Sequence, residues 1–184
     1  MKKLLSLMLV LILSLGVASS ALAASVTFDT PYYTLTLPEN WEIYESDPEK
    51  DTETLKRLGY LSSPETQHYW WVETAIHYLE NWKDVSLFNA DQETLQRYLD
   101  ATLNDFTDVN GEFLGWFYAG DIPFVLIKCR DDDGDYIYAD TMTNGYCILF
   151  YAYIKDTGSS KTYDLSDSDI ALMRGIFETF QPKG

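Results

Sequence analysis

The sequence is poor in the residues by which most active sites are recognised. It has two histidines, His68 and His77, and two cysteines, Cys129 and Cys147. That supply forms no His-Glu-x-x-His helix and no Cys-x-x-Cys pair, so it carries no zinc signature. No Gly-x-Ser-x-Gly elbow and no glycine-rich phosphate loop occur. Both cysteines lie in apolar, strand-like runs and read as core thiols, so nothing supports a Cys–His catalytic pair. Positive charge is also scarce: 13 Lys and Arg stand against 29 Asp and Glu, a net charge of −16. A field of that sign repels nucleic acid and anionic lipid. Beyond the first residues no apolar run approaches the roughly 20 residues that a spanning helix needs.

What the amino terminus does contain is a leader in three parts. Lys2 and Lys3 form a positive start, Leu4 to Val17 an apolar stretch, and Ala21-Leu22-Ala23 a small-x-small cleavage site. The expectation is a signal peptide over residues 1–23, cut after Ala23 or Ala24, and one globular domain over 24–184. No cysteine follows the leader to accept a lipid, so the mature chain is expected to be secreted and extracytoplasmic, with no membrane attachment. The leader holds two basic residues and no acid, so the acidic mature domain has a net charge of −18. In an oxidising compartment Cys129 and Cys147 invite a disulfide, a question that strand register decides.

Residues 28–37 alternate as a strand, and Pro38-Glu39-Asn40 ends it before Trp41 to Tyr44 resumes extended structure. Residues 45–57 are charged and turn-rich and read as a surface loop with a short helix. Leu58 to Ser62 and Tyr69 to Leu79 then flank a turn-forming connector, Ser63 to Gln67. Asp91 to Phe106 has helical spacing of Leu95, Tyr98, Leu99, Leu103 and Phe106, with Asn89 or Asp91 as cap. A meander follows: strands at 112–119, 122–130, 136–143 and 146–155. Asn144-Gly145 favours a type I′ turn. It pairs Met142 with Cys147 and Asp140 with Leu149, and the 131–134 loop sets Cys129 opposite Tyr136. That register separates the cysteines by about six strand residues, or roughly 20 Å, too far for a bridge that needs Cα atoms within about 7 Å. Both faces of the meander are apolar at their centre, so both require cover. A closing helix with Ile170, Met173, Ile176, Phe177 and Phe180 on its stripe, capped by Ser166 or Ser168 and stopped by Pro182, offers part of it. The fold class expected is α+β, an antiparallel sheet of about six or seven strands with helices packed on both faces.

Leu37-Pro38-Glu39-Asn40-Trp41 after a first strand, and Ile176-Phe177-Glu178-Thr179-Phe180 after a meander, resemble the PsbP-like family of small extracytoplasmic proteins. The resemblance extends over most of residues 28–180. It implies an α/β/α sandwich used for binding or assembly, and it brings no catalytic set with it.

Two groups of residues break the local patterns. Asp131, Asp133 and Asp135 place oxygen ligands at alternate positions, as a hard cation requires. The EF-hand places for glycine and a closing glutamate hold Tyr136 and Met142 instead, so a solvated turn is the simpler reading. Asp140 falls in mid-strand among apolar neighbours, where a carboxylate needs partners. With Trp71, Glu73, His77 and Tyr138 it defines a candidate ligand-binding cleft, although Glu73 and His77 stand about 13 Å apart at strand spacing. The simpler reading is that Asp140 meets a tyrosine hydroxyl or a backbone amide and that His77 lies at a sheet edge. The residues imply no cofactor and name no catalytic residue. The leading expectation is a secreted, non-catalytic binding or interaction module for a protein, small-molecule or glycan ligand, with its tyrosines and tryptophans available for stacking. The alternative is an extracytoplasmic hydrolase using dispersed carboxylates.

Overall fold

The computed structural model describes residues 25–64, 69–132, 134–155 and 163–183. The expected leader and its cleavage sites lie outside these residues, as do most of the 63–67 connector, His68 and Asp133.

Ten strands form two antiparallel sheets. The large one has seven, in the order β3 (Glu42–Tyr44), β4 (Leu55–Ser62), β5 (Trp70–Tyr78), β9 (Tyr146–Ile154), β8 (Gly134–Thr143), β7 (Ile122–Asp131), β6 (Glu112–Ala119). The small one has three: β1 (Val26–Asp29), β2 (Tyr33–Leu37) and β10 (Gln181–Pro182), with β2 in the middle. Two α-helices are present among the described residues, α1 (Gln92–Asp105) and α2 (Asp167–Phe177). Asp91 caps α1 by accepting from the Thr94 amide at 2.8 Å. Ser166 caps α2 in a capping box with Asp169.

The meander keeps the register that its turns dictate. Thr143 pairs with Tyr146, Met142 with Cys147, Asp140 with Leu149 and Cys129 with Tyr136. Asn144 and Gly145 both have positive φ, 49° and 81°, the conformation of a type I′ turn. Gly145 also has no room for a side chain, since a Cβ would stand 2.8 Å from the Lys83 backbone.

One face of the large sheet buries Val125, Ile127, Cys129, Met142 and Cys147 together with Leu95, Tyr98 and Leu99 of α1. The other buries Trp70, Val72, Phe124, Ile137 and Phe150 with Leu35 and Leu37 of β2 and Met173, Ile176 and Phe177 of α2. Leu37 and Trp41, the ends of the Leu-Pro-x-x-Trp motif, both lie in this second cluster.

Four expectations are corrected. Residues 28–37 form a hairpin and not one strand, because the Thr30 hydroxyl accepts from the Tyr32 and Tyr33 amides and turns the chain at Pro31. The resulting small sheet contributes Leu35 and Leu37 to the second cluster, so two sheets replace the single one expected. Phe180 lies beyond α2, not on its stripe. After it, Gln181 and Pro182 pair with Thr34 and Tyr33 as β10. The residues before 58 also join the ladder early, with β4 starting at Leu55.

Both cysteines are free, buried thiols. Burial pushes the Cys129 thiol up to about 11 and raises Cys147 as well. A thiol reagent at neutral pH should therefore leave both intact in the folded chain and titrate two per chain in denaturant. Intact mass should equal that of the fully reduced protein, and loss of two hydrogens would establish a disulfide instead.

Candidate functional site

Where the small sheet ends, the second face of the large sheet emerges from cover. The result is an open cleft of about 750 Å³. Its floor includes Ile76 and Ile148, which are cross-strand partners on β5 and β9. One step along the same strands Tyr78 and Tyr146 are also partners, with ring centroids 5.0 Å apart. Tyr32 faces them from the β1–β2 turn, and Lys56 and Glu53 come from the start of β4. Tyr146 is 51% exposed and Tyr32 41%, so two phenolic rings border an apolar floor. Tyr78 is held in place by donating from its hydroxyl to Glu80 Oε2 at 2.8 Å. Lys183, on the opposite wall, pairs with Asp29. Lys56 has no ion-pair partner among the described residues. This arrangement suits a ligand that stacks on aromatic rings and carries polar or anionic groups at its edge.

Asp140 is built into a different place. It lies on the α1 side of the sheet, 2% exposed, and does not line the cleft. Tyr98 Oη of α1 donates to its Oδ2 at 2.8 Å, Tyr138 Oη at 2.9 Å and Cys147 Sγ at 3.3 Å. Its Oδ1 is buried with no hydrogen-bond partner among the described residues. Burial pushes the carboxyl up to about 6, opposed by the hydrogen bonds from Tyr98, Tyr138 and Cys147. Burial likewise raises the Tyr98 and Tyr138 hydroxyls. The cluster therefore ties helix to sheet through one shared oxygen.

Of the residues expected to form a cleft, Tyr138 and Asp140 are in direct contact. Trp71, Glu73 and His77 share a face of β5, but no hydrogen bond or ion pair among the described residues joins them to Asp140. Trp71 packs between Tyr44 and Tyr60, with ring centroids 5.5 Å away on each side. Lys155 Nζ sits 4.6 Å over its ring. Glu73 borders a separate hollow of about 270 Å³ with Asp131, Asp135, Tyr136 and Tyr151. His77 pairs across the ladder with Cys147 and with Leu55.

The acidic hairpin tip is engaged with its own chain. Asp135 accepts from Lys128 Nζ at 2.8 Å, Arg130 Nη1 at 3.0 Å and the Leu165 amide at 3.0 Å. Burial alone would raise its carboxyl, but bonds from Lys128 and Leu165 hold it below the usual range. Asp131 accepts from the Gly134 amide at 3.2 Å. Among the described residues, no group of three or more His, Cys, Asp or Glu is placed to hold a metal ion.

Sequence reasoning missed Tyr98 as the partner of Asp140, because its place on an apolar helical stripe reads as packing. It also missed the cleft residues Tyr32, Lys56, Tyr78 and Tyr146. The available signal was tyrosine where a buried strand face would favour an aliphatic residue.

No protein-family profile and no curated protein sequence matches the chain. Among solved structures it is similar to that of cyanobacterial PsbP (CyanoP) from Synechocystis sp. PCC 6803, determined in solution. The TM-score is 0.52 at 11% identity, over 90% of this chain and 96% of that one. The chain has a PsbP-like fold. No helix among its described residues is long and apolar enough to cross a membrane.

The raised Asp140 carboxyl has a definite sign in stability. The folded chain keeps this proton to about pH 6, whereas an unfolded aspartate loses it near pH 3.9. The stabilisation is complete below the unfolded value and is lost as pH rises through the folded one. At about 1.4 kcal/mol per unit, the group should cost the native state about 3 kcal/mol between those limits. Urea unfolding of the native chain and of Asp140→Asn should therefore differ in stability by an amount that falls by roughly this much across the window. A constant difference would show that Asp140 titrates as an ordinary carboxylate.

Proposed function

We propose that this chain is an exported, non-catalytic binding module whose ligand lies in the cleft bordered by Tyr32, Tyr78 and Tyr146. The observation that carries this reading is the separation of the cleft from Asp140. The carboxyl with the strongest push toward acid–base behaviour is sealed under α1, with three donors on one oxygen. A general acid or base must come within hydrogen-bond reach of a substrate proton, and Asp140 has no open approach. The cleft, in contrast, offers rings, an apolar floor and, among the described residues, a lysine with no ion-pair partner, Lys56.

Such a surface favours a compact ligand with a flat apolar face and a rim of hydroxyl or carboxylate groups, as a sugar ring provides. The PsbP-like fold accords with binding in preference to catalysis. The hydrolase reading gains no support, since Asp140 is buried away from the cleft. The three-part pattern of residues 1–23, read as a leader cut after Ala23 or Ala24, supports an extracytoplasmic site for this activity, with a single domain over 24–184. We extend the layered reading to the whole domain, with α1 as cover on one face and α2 with the small sheet on the other.

The test is a thermal-melting screen of the purified chain against envelope oligosaccharides and uronic acids, run beside a Tyr32→Ala/Tyr146→Ala variant. Binding should raise the native melting temperature by mass action. The double variant should lose the response while keeping its own melting temperature within a few degrees, because both rings are largely exposed. A shift that persists in the variant would place the ligand elsewhere, and no shift across the screen would remove saccharides as the ligand class.

A further inference from the structure

The large sheet ends differently on its two sides. At one margin β3 has three residues, too few to template another strand. At the other, β6 has eight and hydrogen-bonds only to β7. No backbone hydrogen bond from any other described segment reaches its outer side. Natural edges of this length are normally blunted by lysine, proline or covering loops. The stretch Glu112-Phe113-Leu114-Gly115-Trp116-Phe117-Tyr118-Ala119 contains neither lysine nor proline. A bulge at Leu114 twists its first half, but Gly115 to Ala119 run in unbroken register with Leu126 to Ile122. Five residues at about 3.4 Å each give a straight edge of roughly 17 Å.

The strand is rigidly seated. Phe117 is fully buried and stacks on Phe124 at 5.1 Å, and Ala119 is also buried. Tyr118, 53% exposed, and half-buried Trp116 flank the open edge on the opposite face. They provide the alternate side-chain contacts that give strand addition its selectivity.

Charge identifies the partner. Residues 98–127 hold five acids, Asp100, Asp105, Asp108, Glu112 and Asp121, and no Lys or Arg; Lys128, the cross-strand partner of Glu112, is engaged by Asp135. A second copy would set this acidic stretch against itself, which like-charge repulsion disfavours. An extended segment bearing lysine or arginine meets the opposite condition. We propose that the outer edge of β6 accepts a basic, extended peptide segment of another protein as an eighth strand of the large sheet. This site is independent of the tyrosine cleft and stands whether or not that cleft takes a sugar.

The test uses the purified chain and a labelled octapeptide of alternating valine and lysine. A twin N-methylated at every amide keeps the charge but cannot form a ladder. Anisotropy titration should show saturable binding of the parent, at least tenfold weaker binding of the twin, and strong weakening in about 1 M salt, where the Debye length is about 3 Å. Glu112→Lys/Asp121→Lys should also weaken binding severalfold, with both substitutions at exposed positions that leave the fold intact. Amide exchange should slow within residues 115–119 on binding. Tyr32→Ala/Tyr146→Ala should bind the peptide as the native chain does. Equal affinity of parent and twin would mean charge attraction only and overturn the proposal, as would no binding of the parent at millimolar concentration. Self-association that the peptide displaces would overturn it in favour of a second copy.

Discussion

The central strands of the large sheet are apolar on both faces, and that constraint governs the molecule. Phe124 and Phe150 point to one side and Val125 and Ile127 to the other, all of them fully buried. A buried phenylalanine contributes about 1.5–3 kcal/mol, and four of them, Phe117, Phe124, Phe150 and Phe177, lie stacked together at no exposure. Their sum is comparable with the whole net stability of a domain, about 5–15 kcal/mol. Neither face can be left open. The amphipathic stripe of α1, the Leu37–Trp41 motif and the stripe of α2 are therefore necessities of the meander and not ornaments on it.

Covering both faces decides what happens to the polar groups caught beneath. Asp135 and Asp140 lie on the same strand and are both buried, yet their acidities move in opposite directions. Asp135 meets two cations and an amide, which outweigh its desolvation. Asp140 meets only neutral donors, all on one oxygen, and desolvation dominates. A carboxylate can be hidden at low cost only where charge is hidden with it. The same strand thus holds one ion-paired anchor, which binds the segment before α2 through Leu165, and one acid inclined to keep its proton.

What the sequence made legible was local. The type I′ turn at Asn144-Gly145 fixes the β8–β9 register, and with it the separation of Cys129 from Cys147. Period-two alternation puts Phe124, Leu126, Ile137 and Phe150 on one face, since a strand has no other way to arrange them. The misses were one local turn and several non-local meetings. The residues 28–37 alternate through a turn that one threonine hydroxyl creates, and alternation cannot register a turn. The pairing of β10 with β2 spans nearly the whole chain. Tyr98 and Asp140, 42 positions apart, meet only because α1 crosses that part of the sheet. The candidate residues Trp71, Glu73 and His77 shared a strand face with the meander, but a face is wider than a site. What separates them from Asp140 is their place across and along the sheet, which alternation does not encode.

The charge distribution is uneven. Most cations of the described chain are already committed: Lys128 and Arg130 to Asp135, Arg174 to Glu178, Lys83 to Glu80, Lys183 to Asp29. Lys155 and Arg97 lie over tryptophan rings. On a surface with so large an acidic excess, a lysine left unpaired in a cleft stands out electrostatically. Lys56 occupies that position beside rings whose hydroxyls and faces are partly open. A ligand with a negative rim is repelled by most of the surface and attracted at this point, so charge would orient it even where it contributes little affinity. The bare edge of β6 lies in the opposite field, with Glu112 and Asp121 at its two ends and Lys128, the cross-strand partner of Glu112, bound to Asp135. One covering constraint thus leaves two openings, and the charges around them call for partners of opposite sign.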